Sequence, residues 1–335
     1  MPTCSQPKCG VAVTGACLEG HEQPCPHLVP DRATSGAVPF EPIDAATALA
    51  GALRPYRFHS GEKLTVSEAS RVMNERAVRM VFCVGAQRAG KTTFLARLGE
   101  VFRKGLFRKV RFAGSKTLCA FERATWLATI PSGAVRPDTT RTQRRENDTF
   151  LHLRVHPEGE PWCHSDLLIS DLAGETFPEA VASREFCAAQ RALVRADHLV
   201  LFLDCDSLVG NAKRHSEFDN ALGFLRQVSV VKHNPEALHV HVVYSRWDYV
   251  ARHPQRQTHE DFCKLVEGRL TERYRNSFAS LKFWRIAARP VELQPTDAEI
   301  QDLFSAWLET SPISCEPTIN RITHPARDFS AFGEI

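Results

Sequence analysis

The sequence has no long hydrophobic run and no strong excess of charge of either sign. No apolar stretch approaches the roughly 18 residues that cross a bilayer, so we expect no membrane span. The first residues lack the apolar core of a secretory signal, and we expect a cytoplasmic protein. A net charge of +3 gives no global attraction to polyanions. The 335 residues, 43% of them hydrophobic, fit a globular protein with one large domain and an appendage, or two small domains.

Charge is concentrated only locally, in a basic run at 97–111 that holds six Lys or Arg residues and one acid, Glu100. We interpret this run as a solvated helix face and loop. Nucleic-acid binding is the less favoured alternative, so nucleic acid is not the expected partner.

Cysteine, in contrast, is abundant, with 11 residues. Seven are scattered through apolar segments, which indicates reduced thiols used as small core residues. The other four, Cys4, Cys9, Cys17 and Cys25, lie with His27 in a segment too short to form a core. Structural zinc held by these residues is our preferred interpretation. Disulfides, redox sensing and the absence of any metal stay open, because the spacing lacks the C-x2-C pair of a standard finger.

A phosphate-loop pattern, G-x-x-x-x-G-K-[ST], is satisfied at every position by G-A-Q-R-A-G-K-T. An apolar run precedes it and helix formers follow, which predicts a strand, a loop and a helix. The glycines let backbone N–H groups point at phosphate oxygens, Lys91 can reach the β- and γ-phosphates, and Thr92 can bind Mg²⁺. The predicted nucleotide-binding residues here are Gly85, Ala86, Gln87, Arg88, Ala89, Gly90, Lys91, Thr92 and Thr93.

A second motif, D-L-A-G-E, follows a predicted buried strand and matches the D-x-x-G step of GTPases. We expect Asp171 to hold Mg²⁺ and the Gly174 N–H group to bind the γ-phosphate. Glu175 stands where fast small GTPases carry Gln. Its carboxylate can orient water but also repels the γ-phosphate, so we expect slow hydrolysis unless a partner reshapes the site.

A third motif ends a later strand as V-V-Y-S-R-W-D, where GTPases carry N/T-K-x-D. Asp248 is expected to accept hydrogen bonds from N1 and N2 of guanine, which adenine cannot donate. Arg246 is expected to stack along the ring, and Ser245 replaces Asn or Thr. An ATPase stays the alternative if Asp248 does not reach the base. The candidates for a backbone N–H group at guanine O6 are Ala287 and Ala288.

Between these motifs, residues 130–148 are polar and lack periodicity, which predicts a long functional loop. GTPases carry there a threonine that binds Mg²⁺. The candidates for this Mg²⁺-binding threonine are Thr139, Thr140 and Thr142. We choose Thr140. Arg88 occupies the position of an arginine in the guanylate-binding large GTPases. That similarity implies an arginine finger, which stabilises the transition state within its own chain when the protein self-associates. An Arg88 side chain directed to solvent is the alternative. The predicted catalytic residues are Lys91, Arg88, Glu175 and Thr140.

Strands alternate with helices along the chain, including one helix over Pro178–Ala196. This pattern predicts an α/β fold of the P-loop NTPase, GTPase-like type: a mostly parallel sheet with helices on both faces and ligands at the carboxyl ends of the strands. The predicted segments are a Cys-rich part (1–30), a linker and packing helix (31–78), a GTPase-like domain (79–310) and a tail (311–335).

The order of the motifs resembles that of the translation-factor-related (TRAFAC) GTPases. More narrowly, the chain is similar to bacterial "double-GTPase" proteins of predicted defence or conflict gene clusters, through the Cys-rich start ending in C-P-H and the segments F-A-G-S-K-T-L, P-D-T-T-R-T and D-L-A-G-E. The resemblance implies a GTP/GDP-binding switch with Mg²⁺-dependent hydrolysis and a role in antiviral defence. It also implies a GTPase-like or effector protein partner, or a homodimer. A nucleotide-binding adaptor without catalysis stays open.

Overall fold

The computed structural model describes residues 3–5, 27–29, 59–105, 107, 109–126, 149–160, 163–210, 213–290, 297–309 and 314–315. The chain divides into two compact units, Met1–Phe58 and His59–Ile335. In the first unit, strands β1 (Thr3–Cys4) and β2 (Leu28–Val29) pair antiparallel. The Ser5 N–H group donates to the His27 carbonyl oxygen at 2.8 Å.

The second unit is built on a sheet in the order β4-β5-β6-β3-β7-β8-β9. Its strands are β3 (Val78–Gly85), β4 (Val110–Gly114), β5 (Phe150–Pro157), β6 (Cys163–Asp171), β7 (His198–Asp204), β8 (His239–Ser245) and β9 (Ser280–Ile286), and β10 (Ser314–Cys315) pairs with the start of β6. Six of these seven strands run in the same direction, and β5 runs opposite to them. The prediction of a mostly parallel α/β sheet is confirmed.

Helices cover both faces of this sheet. They are α1 (Val66–Glu75), α2 (Lys91–Arg103), α3 (Leu118–Thr125), α4 (Phe177–Ala182), α5 (Arg184–Ala189), α6 (Arg191–Arg195), α7 (Cys205–Val209), α8 (Arg214–Val231), α9 (Asp248–Ala251), α10 (Arg256–Tyr274) and α11 (Asp297–Leu308). Side chains alternate along β3, so that Phe82 and Val84 enter one core cluster while Val81 and Cys83 enter the other. None of the helices in the described part of the chain has the length and hydrophobicity needed to cross a bilayer.

Helix α1 begins at a capping box. The Thr65 hydroxyl accepts from the Glu68 N–H group at 3.4 Å, and the Glu68 carboxylate accepts from the Thr65 N–H group at 2.8 Å. Ala69 and Val72 are buried in the core, and Leu64 pairs with β5. This helix is therefore an integral part of the second unit.

The prediction of one helix over Pro178–Ala196 is wrong, because the segment forms the three short helices α4, α5 and α6. The backbone is extended at Ser183, whose hydroxyl accepts from the Phe186 N–H group at 3.0 Å and so caps α5. A second extended residue, Gln190, separates α5 from α6. Side-chain capping competes with helix continuation at these points.

Part of the basic run at 97–111 is paired with acids. Arg97 is only 6% exposed and binds Glu100 at 2.6 Å and Asp297 at 2.7 Å, so its interpretation as part of a solvated face is wrong. Two further arginines pair with acids distant in sequence: Arg103 with Glu122 and Arg111 with Glu158. Three of the six basic residues of the run are therefore paired with acids, which lowers the charge available to attract nucleic acid.

Candidate functional site

The sequence motifs meet at the carboxyl edge of the sheet. Asp171, the last residue of β6, pairs in register with Cys83, two residues before the phosphate loop begins. Ser245, the last residue of β8, pairs with Asp204 on β7 and Ile286 on β9. Ligands of open parallel sheets bind at this edge, so one site can use all three motifs.

The phosphate loop has the backbone conformation that its glycines predict. Gly85 and Gly90 have φ values of 155° and 79°, and Arg88 between them has φ 66°. A Cβ atom at Gly85 would lie 2.6 Å from the Phe202 carbonyl oxygen, so only glycine fits there. The left-handed Arg88 is unusual for a residue with a side chain and is typical of functional loops.

Lys91, the first residue of α2, directs its ammonium group into the loop. Its side chain is 7% exposed, and Nζ donates to the carbonyl oxygens of Gly85 at 3.0 Å and Ala86 at 3.3 Å. The ammonium group and the helix N-terminus concentrate positive charge inside a backbone cradle. These residues fit a bound polyphosphate, whose terminal phosphoryl group would be transferred to water as the phosphoanhydride bond to the leaving diphosphate breaks.

The D-x-x-G segment packs directly on the phosphate loop. The Leu172 N–H group donates to the Cys83 carbonyl oxygen at 3.0 Å. A Cβ atom at Gly174 would lie 2.6 Å from the Gln87 Cα atom and 2.7 Å from its nitrogen, so the contact requires glycine. The Gln87 side-chain amide donates to a Glu175 carboxylate oxygen at 3.2 Å. The structure therefore joins two side chains that are 88 residues apart in sequence.

The predicted Mg²⁺ ligands are placed only in part. Thr92 is half-buried as the second residue of α2, and Asp171 ends the neighbouring strand. Thr140, with the alternatives Thr139 and Thr142, lies outside the described residues. Arg88 is exposed, so its action on self-association stays a prediction.

The S-R-W-D turn touches the phosphate loop through its serine. The buried Ser245 hydroxyl donates to the Leu203 carbonyl oxygen at 3.1 Å, and a Cβ atom at Gly90 would lie 3.4 Å from the Ser245 Cβ atom. The Trp247 N–H group donates to the Ile286 carbonyl oxygen at 3.1 Å. That bond ties the turn to the strand end next to Ala287.

The two residues predicted to contact the base are held by partners within the protein. Arg246 has φ 53°, pairs with Asp204, and lies 3.4 Å from Asp206. Burial would lower the pKa of this guanidinium, but the hydrogen bond that Arg246 donates to Asp204 raises it. Asp248 is 3% exposed and lies 3.2 Å from an Arg252 nitrogen. Their roles toward guanine stay predictions.

The candidate O6 contacts follow β9. Ala287 is buried and Ala288 is half-buried against the core cluster that includes Val81. Both therefore lie at the same sheet edge as the S-R-W-D turn, and their contact with a base stays a prediction.

Sequence reasoning missed three acids behind this turn: Asp204, Asp206 and Glu217. Burial, followed by the charge of Asp204, raises the pKa of Glu217 to about 7. The D-C-D sequence that ends β7 was a signal for the first two. Glu217 lies on α8 and is brought to Asp204 only by the fold.

The zinc prediction is not tested by the described residues. Cys4 and His27 lie on or next to the paired strands of the first unit, whereas Cys9, Cys17 and Cys25 lie outside the described part. In the part of the chain that the structure describes, no group of three or more His, Cys, Asp or Glu residues is placed to hold a metal ion.

A family model described as Double-GTPase 2 matches residues 79–308, more than half of the chain. The match begins within β3 and ends with α11, and it includes the phosphate loop, the D-x-x-G segment and the S-R-W-D turn. No curated protein matches the chain in sequence.

Several solved structures show low-level similarity. One is a signal recognition particle receptor SRb-GTP/SRX complex from Chaetomium thermophilum (12% identity, TM-score 0.38, 69% of this chain and 99% of that chain). Another is the S. cerevisiae Ski7 GTPase-like domain bound to GTP (15% identity, TM-score 0.39, 74% of this chain and 54% of that chain). A third is Era in complex with MgGDPNP and part of 16S ribosomal RNA (15% identity, TM-score 0.35, 72% of this chain and 58% of that chain). These scores are too low to assign a ligand.

Proposed function

Since the chain belongs to the Double-GTPase 2 family, we propose that it is a guanine-nucleotide switch that hydrolyses GTP slowly with Mg²⁺. The observation that carries the proposal is the phosphate loop. Its left-handed residues form a backbone cradle, and the buried Lys91 ammonium group points into it. This geometry suits a chain of phosphates.

Hydrolysis would use residues around the γ-phosphate. Thr92, Asp171 and Thr140 would hold Mg²⁺, and the Gly174 N–H group would bind a γ-phosphate oxygen. Glu175 in the place of a neutral side chain supports a slow rate, because its carboxylate repels the γ-phosphate. Arg88 would stabilise the transition state on self-association.

Base selectivity is tested by competition. GTP and ATP are each titrated with Mg²⁺ against a fluorescent guanine nucleotide on wild-type protein and on Asp248→Ala. We expect wild type to prefer GTP and the variant to lose that preference. The matched control is Asp261→Ala, because Asp261 is exposed on α10. Preference for ATP, or unchanged selectivity in Asp248→Ala, would contradict guanine recognition by this residue.

A nucleotide-binding adaptor is the second candidate function. It is favoured by the internal partners of Arg246 and Asp248 and by Glu175 beside the phosphate loop. An adaptor would bind guanine nucleotide without releasing phosphate at any protein concentration. Phosphate release over a concentration series, compared between wild type and Arg88→Ala, separates the adaptor from a switch that needs self-association. An ATPase is the remaining alternative.

Partners, location and pathway belong to the same proposal. A cytoplasmic location is supported by the free cysteines Cys119, Cys187, Cys205 and Cys263 among the described residues. The family description suggests a second GTPase-like protein as partner. A role in bacterial antiviral defence rests on the sequence resemblance alone. Zinc at the N-terminal cysteines and His27 would give a docking element for a partner.

A further inference from the structure

We infer that Gln87 and Glu175 form a bridge that makes the site select the diphosphate over the triphosphate. The inference rests on the proposed function, because it assumes that guanine nucleotides bind at the phosphate loop. It goes beyond that function by assigning the discrimination between the two nucleotide states to two side chains.

The bridge lies beside the phosphate loop, next to Gly174, whose N–H group is expected to bind the third phosphate. Gly174 is packed so closely on Gln87 that no side chain fits between them. One residue on, the Glu175 carboxylate accepts from the Gln87 amide at 3.2 Å, and both side chains are exposed. A γ-phosphate bound to the Gly174 N–H group would therefore be adjacent to the Glu175 carboxylate.

The charge of Glu175 is not balanced by the bridge. Its partner is a neutral amide, and among the described residues no arginine or lysine forms an ion pair with it. The Lys91 ammonium group is directed instead at the Gly85 and Ala86 carbonyl oxygens. Two like charges a few ångströms apart repel strongly at a partly solvated site. The triphosphate adds negative charge here, so repulsion by Glu175 weakens its binding more than that of the diphosphate.

Glu175 is close in the chain to a helix that packs in the core. Glu175 lies in the 3₁₀ turn Gly174–Thr176, which continues directly into α4. Phe177 at the start of α4 is buried and contacts the Phe224 ring of α8, with centroids 5.6 Å apart. A displacement of the backbone at Glu175, but not a rotation of its exposed side chain, would therefore act on this helix.

The test measures dissociation constants for fluorescent GDP and for a slowly hydrolysed GTP analogue, with Mg²⁺, on the full chain. We expect wild type to bind GDP more tightly. Glu175→Gln should reduce the preference about tenfold, which is the size expected for removing one like-charge contact. Gln87→Ala frees the carboxylate but keeps its charge, so it should reduce the preference less, about threefold.

The matched control is Glu179→Gln, since Glu179 is exposed on α4 and carries the same charge outside the site. This variant should leave the preference for GDP unchanged. The thermal unfolding temperature of all three variants should equal that of wild type. An equal GDP preference in wild type and Glu175→Gln, with both nucleotides bound, overturns the inference and leaves the proposed function standing. Failure of wild type to bind either guanine nucleotide overturns the proposed function itself, and the inference with it.

Discussion

The two ends of the candidate site are built differently. The phosphate end is made of backbone, with left-handed residues at Arg88 and Gly90 and a lysine bound to loop carbonyls. The base end is made of side chains, with Arg246 paired to Asp204 and Asp248 paired to Arg252. Phosphates could replace the carbonyl contacts of one ammonium group, whereas a base bound as predicted would have to compete with two ion pairs.

The two ends are therefore expected to contribute differently to the affinity and the selectivity of nucleotide binding. A preorganised backbone binds phosphate without rearrangement, so the phosphate end should supply most of the affinity. If Arg246 and Asp248 select guanine as proposed, both have to exchange their present partners first. The predictions below run from the phosphate end, where the largest effects are expected, to the base end.

Replacing Lys91 with Met should weaken nucleotide binding about a hundredfold or more, because the phosphates lose a buried cation. Titration of a fluorescent guanine nucleotide measures the loss. Lys104→Met is the matched control, since Lys104 is exposed at the end of α2. Equal affinities in the two variants would show that the cradle does not depend on the buried ammonium group.

Gly85→Ala should destabilise the fold by about 2–3 kcal/mol, because the new Cβ atom meets the Phe202 carbonyl oxygen at 2.6 Å and φ is positive. Urea unfolding measures this change. Gly268→Ala, inside α10 with open space around it, should instead be neutral or stabilise by up to about 1 kcal/mol. If the two variants had the same stability, the phosphate end would not be rigid.

Glu217→Gln should stabilise the protein by about 1–2 kcal/mol at pH 8 and have little effect near pH 4.5. Burial raises the pKa of Glu217 from 4.5 to about 7. The unfolded chain therefore loses this proton first, and wild-type stability falls as the pH rises from 4.5 through 7. Urea unfolding across this range tests the sign. Glu272→Gln, an exposed change on α10, should show no such pH dependence.

Arg252→Ala should tighten guanine-nucleotide binding by about threefold, because Asp248 then has one competing partner fewer at this partly solvated pair. The same titration, run with GTP and ATP as competitors, should show the gain for GTP alone. A gain shared by ATP would mean that the Asp248 carboxylate does not read the base.

Much of the fold was predictable because its signals are local. Hydrophobic runs such as that of β3, the Thr65 capping box and the glycine spacing each act over a few residues. The break of one predicted helix into α4, α5 and α6 was missed, because apolar content outweighed the capping tendency of Ser183.

The conformation of the phosphate loop follows from local sequence, because two glycines and a lysine at set spacing favour this backbone path between a strand and a helix. The residues that surround the loop follow from the fold. Glu175 meets Gln87, and Arg246 meets Asp204, across 88 and 42 residues of chain. Such pairings depend on strand order and register, which no local pattern specifies.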